Sequence, residues 1–272
     1  MSIYLHGPFA ELWRDKDVFA EVTKLDGKVY RALEGRRTLR FEIEGKGYFL
    51  KHHAGVGWKE IFKNLLQGRM PILGADNEYH AVYKLQQLGV GTMKAVAYGC
   101  RGLNPAARES FIITEAIEPS LSLEELAEQW HLQAPSLIEK RRIIRRVATM
   151  AGRMHAGGVN HRDFYICHFL LTDNDQLSLI DLHRSLIHKS VPKRWLLKDL
   201  AGLCFSAYPV ALTLRDKLRF IRDYSLAFSA STLRQTLKDP LWKKVEAKAQ
   251  VLYKRGLRKG YVQESDLSGK SS

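Results

Sequence analysis

Residues 159–171 read Val-Asn-His-Arg-Asp-Phe-Tyr-Ile-Cys-His-Phe-Leu-Leu. The His161-Arg162-Asp163 tripeptide is followed by two short apolar runs, residues 169–171 and 177–180, and then by Asp181. Two carboxylates in that order suit phosphoryl transfer. One stands within hydrogen-bond reach of an attacking hydroxyl, and the other, at a strand end, offers hard oxygen to Mg2+. Taken singly, Asp163 reads as a turn residue and Asp181 as a strand-end cap. The long helical pattern ending in Gly157-Gly158 before the tripeptide, and the strand–turn–strand after it, favour Asp163 as catalytic group and Asp181 as metal ligand.

His168 stands five residues after Asp163, where protein kinases place a metal-binding asparagine. An imidazole nitrogen is a poorer partner for Mg2+ than an amide oxygen, so three roles stay open: metal ligand, phosphate contact or packing. Lys51 ends an apolar run from which a cation can reach nucleotide phosphates, and Glu78 in the next strong helix can pair with it. The backbone groups of Glu115 and Ala116, after the run 110–115, are placed to hydrogen-bond adenine. Gly35-Arg36-Arg37 is either a plain hairpin tip or a phosphate contact, and no Gly-x-Gly-x-x-Gly stands there. Asp199 either braces the catalytic loop or is a solvated helix charge.

The elements that must carry these groups follow from pattern. Residues 29–33, 38–43 and 48–53 read as three strands in hairpin succession, separated by Glu34-Gly35-Arg36-Arg37 and Glu44-Gly45-Lys46-Gly47. Residues 58–66 and 77–88 read as helices, 92–98 and 110–115 as strands, and 99–109 as a polar loop. Ser122-Leu-Glu-Glu125 and Ser136-Leu-Ile-Glu139 have the capping-box pattern, the second opening a helix over 137–156. Further helices are expected over 193–206, 213–228 and 240–254. The pattern is therefore α+β: a small β-rich part over 1–115 and a larger helical part over 116–255 with its catalytic loop at 161–168. The polar stretch 256–272 reads as a disordered tail.

The 272 residues carry a net charge of +14, which favours an anionic partner: a membrane surface, a phosphorylated glycolipid, an acidic protein or nucleic acid. No nucleic-acid-binding motif is present, so nucleic acid is not expected. The helix stretch 140–146, with Lys140, Arg141, Arg142, Arg145 and Arg146, is the densest basic patch. Three cysteines without metal-site spacing indicate a reducing compartment and no disulfide framework. No basic-then-apolar leader pattern opens the chain, and no apolar run reaches the roughly 18–20 residues of a membrane span, so membrane contact is expected to be peripheral.

The 160–171 run and Ile180-Asp-Leu-His-Arg184 resemble the lipopolysaccharide core heptose kinases of the WaaP/RfaP type. So do Lys28-Val-Tyr-Arg31, Gly35-Arg-Arg-Thr38, Gly57-Trp-Lys-Glu60, and Lys193-Arg-Trp195 to Lys198-Asp-Leu200. The resemblance covers roughly residues 1–255. It implies a bilobal, protein-kinase-like fold and ATP- and Mg2+-dependent phosphorylation of the first heptose of the inner core at its 4-hydroxyl. It further implies that Asp163 is the catalytic carboxylate, and Lys51, Glu78 and Asp181 the nucleotide and metal residues. His168 matches that family's own pattern. The implied acceptor is a nascent lipopolysaccharide glycolipid at the cytoplasmic face of the bacterial inner membrane, where a basic surface concentrates it. Two other readings are a protein tyrosine kinase or autokinase acting on one of the 11 tyrosines, and a kinase-like binding module without turnover.

Overall fold

The structure is a computed structural model that describes residues 1–33, 35–66, 73–210, 212–229 and 239–259. Glu34 of the expected first turn and most of the expected tail, 260–272, lie outside the described residues. The chain divides into two compact units. The first comprises Met1–Lys84, Met93–Glu118 and Asp181–Arg184; the second comprises Leu85–Thr92, Pro119–Ile180 and Ser185–Ser272. One is built on a sheet and the other is mostly helical, the α+β, kinase-like division expected from the sequence.

The first unit is built on an antiparallel six-stranded sheet. Its strands are β1 (Ser2–Leu5), β2 (Lys28–Leu33), β3 (Arg36–Ile43), β4 (Lys46–Ala54), β5 (Ala95–Arg101) and β6 (Glu109–Glu115), in the order β1-β5-β6-β4-β3-β2. Two short helices, α1 (Pro8–Leu12, capped by Trp13) and α2 (Val18–Lys24), bring Phe9, Trp13, Val18, Phe19 and Val22 to a core with Leu39, Tyr48, Leu50, Phe111 and Ile113. Along β4 the side chains of Tyr48 and Leu50 enter that core, so the period of two puts Lys51 on the other face. The β2–β3 turn needs glycine at position 35. There φ is +70°, and an added Cβ would lie 2.3 Å from the Gly55 carbonyl oxygen.

Two helices follow β4: α3 (Gly57–Leu66) and α4 (Asp76–Gln87). The first turn of α4 is pinned to the sheet. Asp76 accepts from the Tyr98 hydroxyl at 2.6 Å and from Arg108 at 2.9 Å, Ser110 Oγ accepts the Ala75 amide at 3.0 Å, and Tyr79 stacks on Tyr98 at 4.0 Å. β5 runs three residues into the stretch read as a polar loop. Gly99, Cys100 and Arg101 pair with Phe111, Ser110 and Glu109, since pairing along a neighbouring strand outweighs low strand propensity.

The second unit holds β7 (Ser120–Ser122), α5 (Leu123–Leu132), α6 (Leu137–Ala156), β8 (Val159–Asn160), β9 (Phe169–Thr172), β10 (Leu177–Leu179), β11 (Leu186–Ile187), α7 (Lys193–Ser206), α8 (Leu214–Ser229) and α9 (Leu241–Arg258). The reciprocal capping box at Ser122 and Glu125 opens α5, and Ser136 caps α6 through the Glu139 amide. α6 packs on α8, and α7 on α9. α9 reaches Arg258, beyond the position where the sequence pattern fades. At the end of α6, Gly158 takes φ +86°, and a Cβ there would sit 2.0 Å from the His188 carbonyl oxygen. Glycine is therefore required where the chain turns towards His161-Arg162-Asp163. Among the described residues no helix is long and apolar enough to cross a membrane.

Candidate active site

In the first unit, Lys51 lies between two carboxylates. Its Nζ donates to Glu78 Oε1 at 2.8 Å and to Asp181 Oδ1 at 2.8 Å. Glu78 is buried and Lys51 and Asp181 are part-buried. Burial works against the Lys51 charge, but Glu78 and Asp181 outweigh it and hold the ammonium well above its usual pKa. Burial also pushes the Asp181 carboxyl up, yet the hydrogen bond from His183 and the Lys51 charge overcome it. The group sits well below the ordinary carboxylate range. Lys51 and Asp181 therefore stay ionised at neutral pH.

His183 was not singled out by its residue type. Its Nδ1 donates to Asp181 Oδ1 at 2.7 Å from a short helical turn, Leu182–Arg184. Asp181 itself takes φ +60°, the left-handed region that L residues rarely occupy.

In the second unit, Asp163 sits on a loop tied down from four sides. Asp199, buried in α7, accepts the His161 amide at 2.7 Å through Oδ2 and the Arg162 amide at 2.8 Å through Oδ1. Of the two readings of Asp199, the bracing one holds. His155 approaches the same carboxylate, Nε2 to Oδ2 3.4 Å. Trp195 of α7 lies under the Arg162 guanidinium, 5.2 Å from ring centroid to Cζ. The buried His161 donates from Nε2 to the Ile180 carbonyl at 2.9 Å, and the Ile180 amide donates to the His168 carbonyl at 2.9 Å. Ile180 is the chain neighbour of Asp181.

His168 donates from Nδ1 to the Asp163 backbone carbonyl at 2.7 Å and stacks on His161 at 5.6 Å. A carbonyl only accepts, so the proton is on Nδ1. Arg162 takes φ +74°, a backbone cost of roughly 1–3 kcal/mol that the Asp199 and Trp195 contacts offset. Left-handed φ values thus occur beside Asp163 and at Asp181, the two carboxylates singled out by sequence.

Other candidates are engaged elsewhere. The Glu115 amide donates to the Lys94 carbonyl and the Ala116 amide to the Gly47 carbonyl, both at 2.9 Å. Neither amide is available to adenine in this conformation. The Glu115 carboxylate pairs with Lys46 at 2.8 Å and Lys94 at 3.0 Å. Arg37 donates to the Leu25 carbonyl at 3.0 Å, which makes it a support of the hairpin.

Among the described residues no group of three or more His, Cys, Asp and Glu side chains forms a ready metal cage. Mg2+ in phosphoryl-transfer sites does not need one, since one or two carboxylates with substrate phosphate and water complete its shell. Asp181, ionised and part-buried, fits that role. Glu78 Oε2, buried and without a hydrogen-bond partner, shows that this cluster carries more anionic oxygen than Lys51 satisfies.

A model of the lipopolysaccharide kinase (Kdo/WaaP) family matches residues 20–224. The chain is 50% identical over 267 residues to the lipopolysaccharide core heptose(I) kinase WaaP of Escherichia coli (strain K12), spanning 95% of this chain and 99% of that protein. It is 49% identical over 269 residues to the protein of the same name from Pseudomonas aeruginosa (strain PAO1), spanning 96% and 99%. Among solved structures, that of WaaP in complex with acyl carrier protein superposes with a TM-score of 0.81 at 46% identity, covering 93% of this chain and all of that one.

Proposed function

The chain belongs to the lipopolysaccharide kinase (Kdo/WaaP) family, and from that membership we propose that it transfers the γ-phosphoryl group of ATP to the 4-hydroxyl of the first heptose of the lipopolysaccharide inner core. Two full-length relatives at about half identity bear the name heptose(I) kinase, and this is the observation that carries the substrate class. Lys51, held by Glu78, is the cation for the nucleotide phosphates, and Asp181 is the residue that would hold Mg2+. When bound, that ion offsets phosphate charge as it spreads over the oxygens of the transferring group. Asp163 orients the heptose hydroxyl and takes its proton as the oxygen attacks. His168 and Asp199 act as positioning residues, fixing the backbone from which Asp163 projects.

The acceptor is lipid-linked in this reading, and the enzyme works peripherally at the cytoplasmic face of the inner membrane. The net charge of +14 supports that placement. It also suits an acidic protein, and the solved WaaP complex holds an acyl carrier protein; we assign this chain a partner of the same kind.

Asp163→Ala should cut phosphate transfer to the lipid-linked core by roughly 10²–10⁴-fold while the protein still folds. The check is phosphate incorporation into purified heptose acceptor from labelled ATP, alongside circular dichroism. Near-normal turnover in that variant refutes the assignment, and label on tyrosine in place of sugar would favour a protein kinase.

A further inference from the structure

Among the described residues of its unit, α3 exposes a continuous apolar surface. Of its large apolar residues, Ile61 alone is buried, at 5% exposure. Trp58 is 50% exposed, Phe62 57%, Leu65 49% and Leu66 89%. At about 100° per residue the exposed four fall on one continuous arc of roughly 100°, next to the buried edge marked by Ile61. Lys59 and Lys63 follow at its other edge, Lys63 in an exposed pair with Glu60 at 3.7 Å that costs little to open, and Trp58 and Phe62 keep their rings together at 5.8 Å. The order round the helix is therefore protein, apolar arc, then cations.

We propose that α3 is a membrane-docking helix that lies in the plane of an anionic bilayer, with Trp58, Phe62, Leu65 and Leu66 in the headgroup–acyl boundary. The arrangement matches interfacial helices: aromatic and leucine side chains on one face, with lysines able to extend their stems back to lipid phosphates. Charge selects an anionic bilayer over a neutral one, because Lys59 and Lys63 flank the arc and the whole chain carries +14. A second copy of this chain would bring like charge to like charge. The inference deepens the reading of a membrane-borne acceptor but does not require the heptose chemistry to be right.

The test is vesicle flotation of the full chain with two vesicle compositions, phosphatidylglycerol–phosphatidylethanolamine and pure phosphatidylcholine. The wild type should float with the anionic vesicles and much less with the neutral ones. Phe62→Asp with Leu66→Asp should lower the anionic partition coefficient at least about tenfold. Leu103→Asp, an exposed apolar residue outside α3, should leave it unchanged. Turnover on a soluble, deacylated core acceptor should stay at the wild-type level in the double variant, and turnover on vesicle-borne acceptor should fall. The proposal is overturned if the double variant floats like the wild type, if neutral vesicles bind as well as anionic ones, or if soluble-acceptor turnover falls as far as vesicle-borne turnover. Flotation needs no catalysis, so an inactive protein would refute the heptose kinase reading and leave this one intact.

Discussion

At the scale of single residues, the site depends on charges kept in one protonation state. The lowered pKa of Asp181 means that its folded-state contribution is present above the unfolded carboxylate value of about 3.9 and is lost only as pH falls below that value towards the lowered folded one. The raised pKa of Lys51 acts at the other end: its contribution is complete below the unfolded amine value of about 10.4. His53 titrates between them. Burial and then the positive charge of Arg36 lower its pKa to about 3, and its Nδ1 has no hydrogen-bond partner. Below about pH 6.5 the unfolded chain binds a proton that the folded chain refuses, so stability falls as pH drops. The loss should be on the order of 2 kcal/mol between pH 6.5 and 4.5, and His53→Leu should remove it. Urea unfolding at the two pH values checks this; an unchanged pH slope in the variant would contradict it. The pairing of Lys51 with Glu78 was legible in the sequence because a strand and the next strong helix present them at set offsets. The tie from His183 to Asp181 was not, because a hydrogen bond between side chains two residues apart leaves no periodic trace.

At the scale of elements, α7 does more to hold the 161–168 loop than its sequence announces. One turn holds both the backbone of the catalytic loop, through Asp199, and its Arg162 side chain, through Trp195. Asp199→Ala would leave two loop amides without their acceptor, a loss of roughly 3 kcal/mol in stability. Asp199→Asn keeps one acceptor oxygen and should lose less. Both should lower kcat, the alanine variant more, while ATP affinity stays within about twofold because Lys51, Glu78 and Asp181 are untouched. Calorimetric ATP titration with steady-state kinetics reads the difference, and a parallel loss of ATP affinity would speak against a positioning role. Helix periodicity made α4, α6, α7 and α8 readable to within a residue or two. α1 and α2 were not legible because each is too short to show a period, and their apolar faces are set by packing against β3, β4, β5 and β6. The two-state choice at Asp199 also needed three dimensions, since a buried brace and a solvated charge look alike in sequence.

At the scale of the whole molecule, the question is where +14 charges are free to act. The basic run on α6 divides into two sets. Lys140 pairs with Asp216 at 3.2 Å, and Arg142 and Arg146 pair with Asp175 at 3.0 and 2.8 Å. Arg141, Arg145 and Arg153 have no acidic partner among the described residues, and with Thr149 they mark a four-residue ladder along the helix. Sequence could locate the patch but not sort it, because Asp175 and Asp216 are distant in the chain. Replacing Arg141, Arg145 and Arg153 with glutamine should lower turnover on vesicle-borne acceptor by roughly fivefold per charge at low salt, with a shrinking difference as salt rises. An undiminished rate in the triple variant would remove this face from acceptor capture. The bond made is read by mass spectrometry of core lipopolysaccharide from cells that lack a heptose(I) kinase, complemented with this chain or with its Asp163→Ala variant. The wild type should restore one phosphate on the first heptose and the variant none. A core that gains no heptose phosphate from the wild-type chain would contradict the heptose kinase reading.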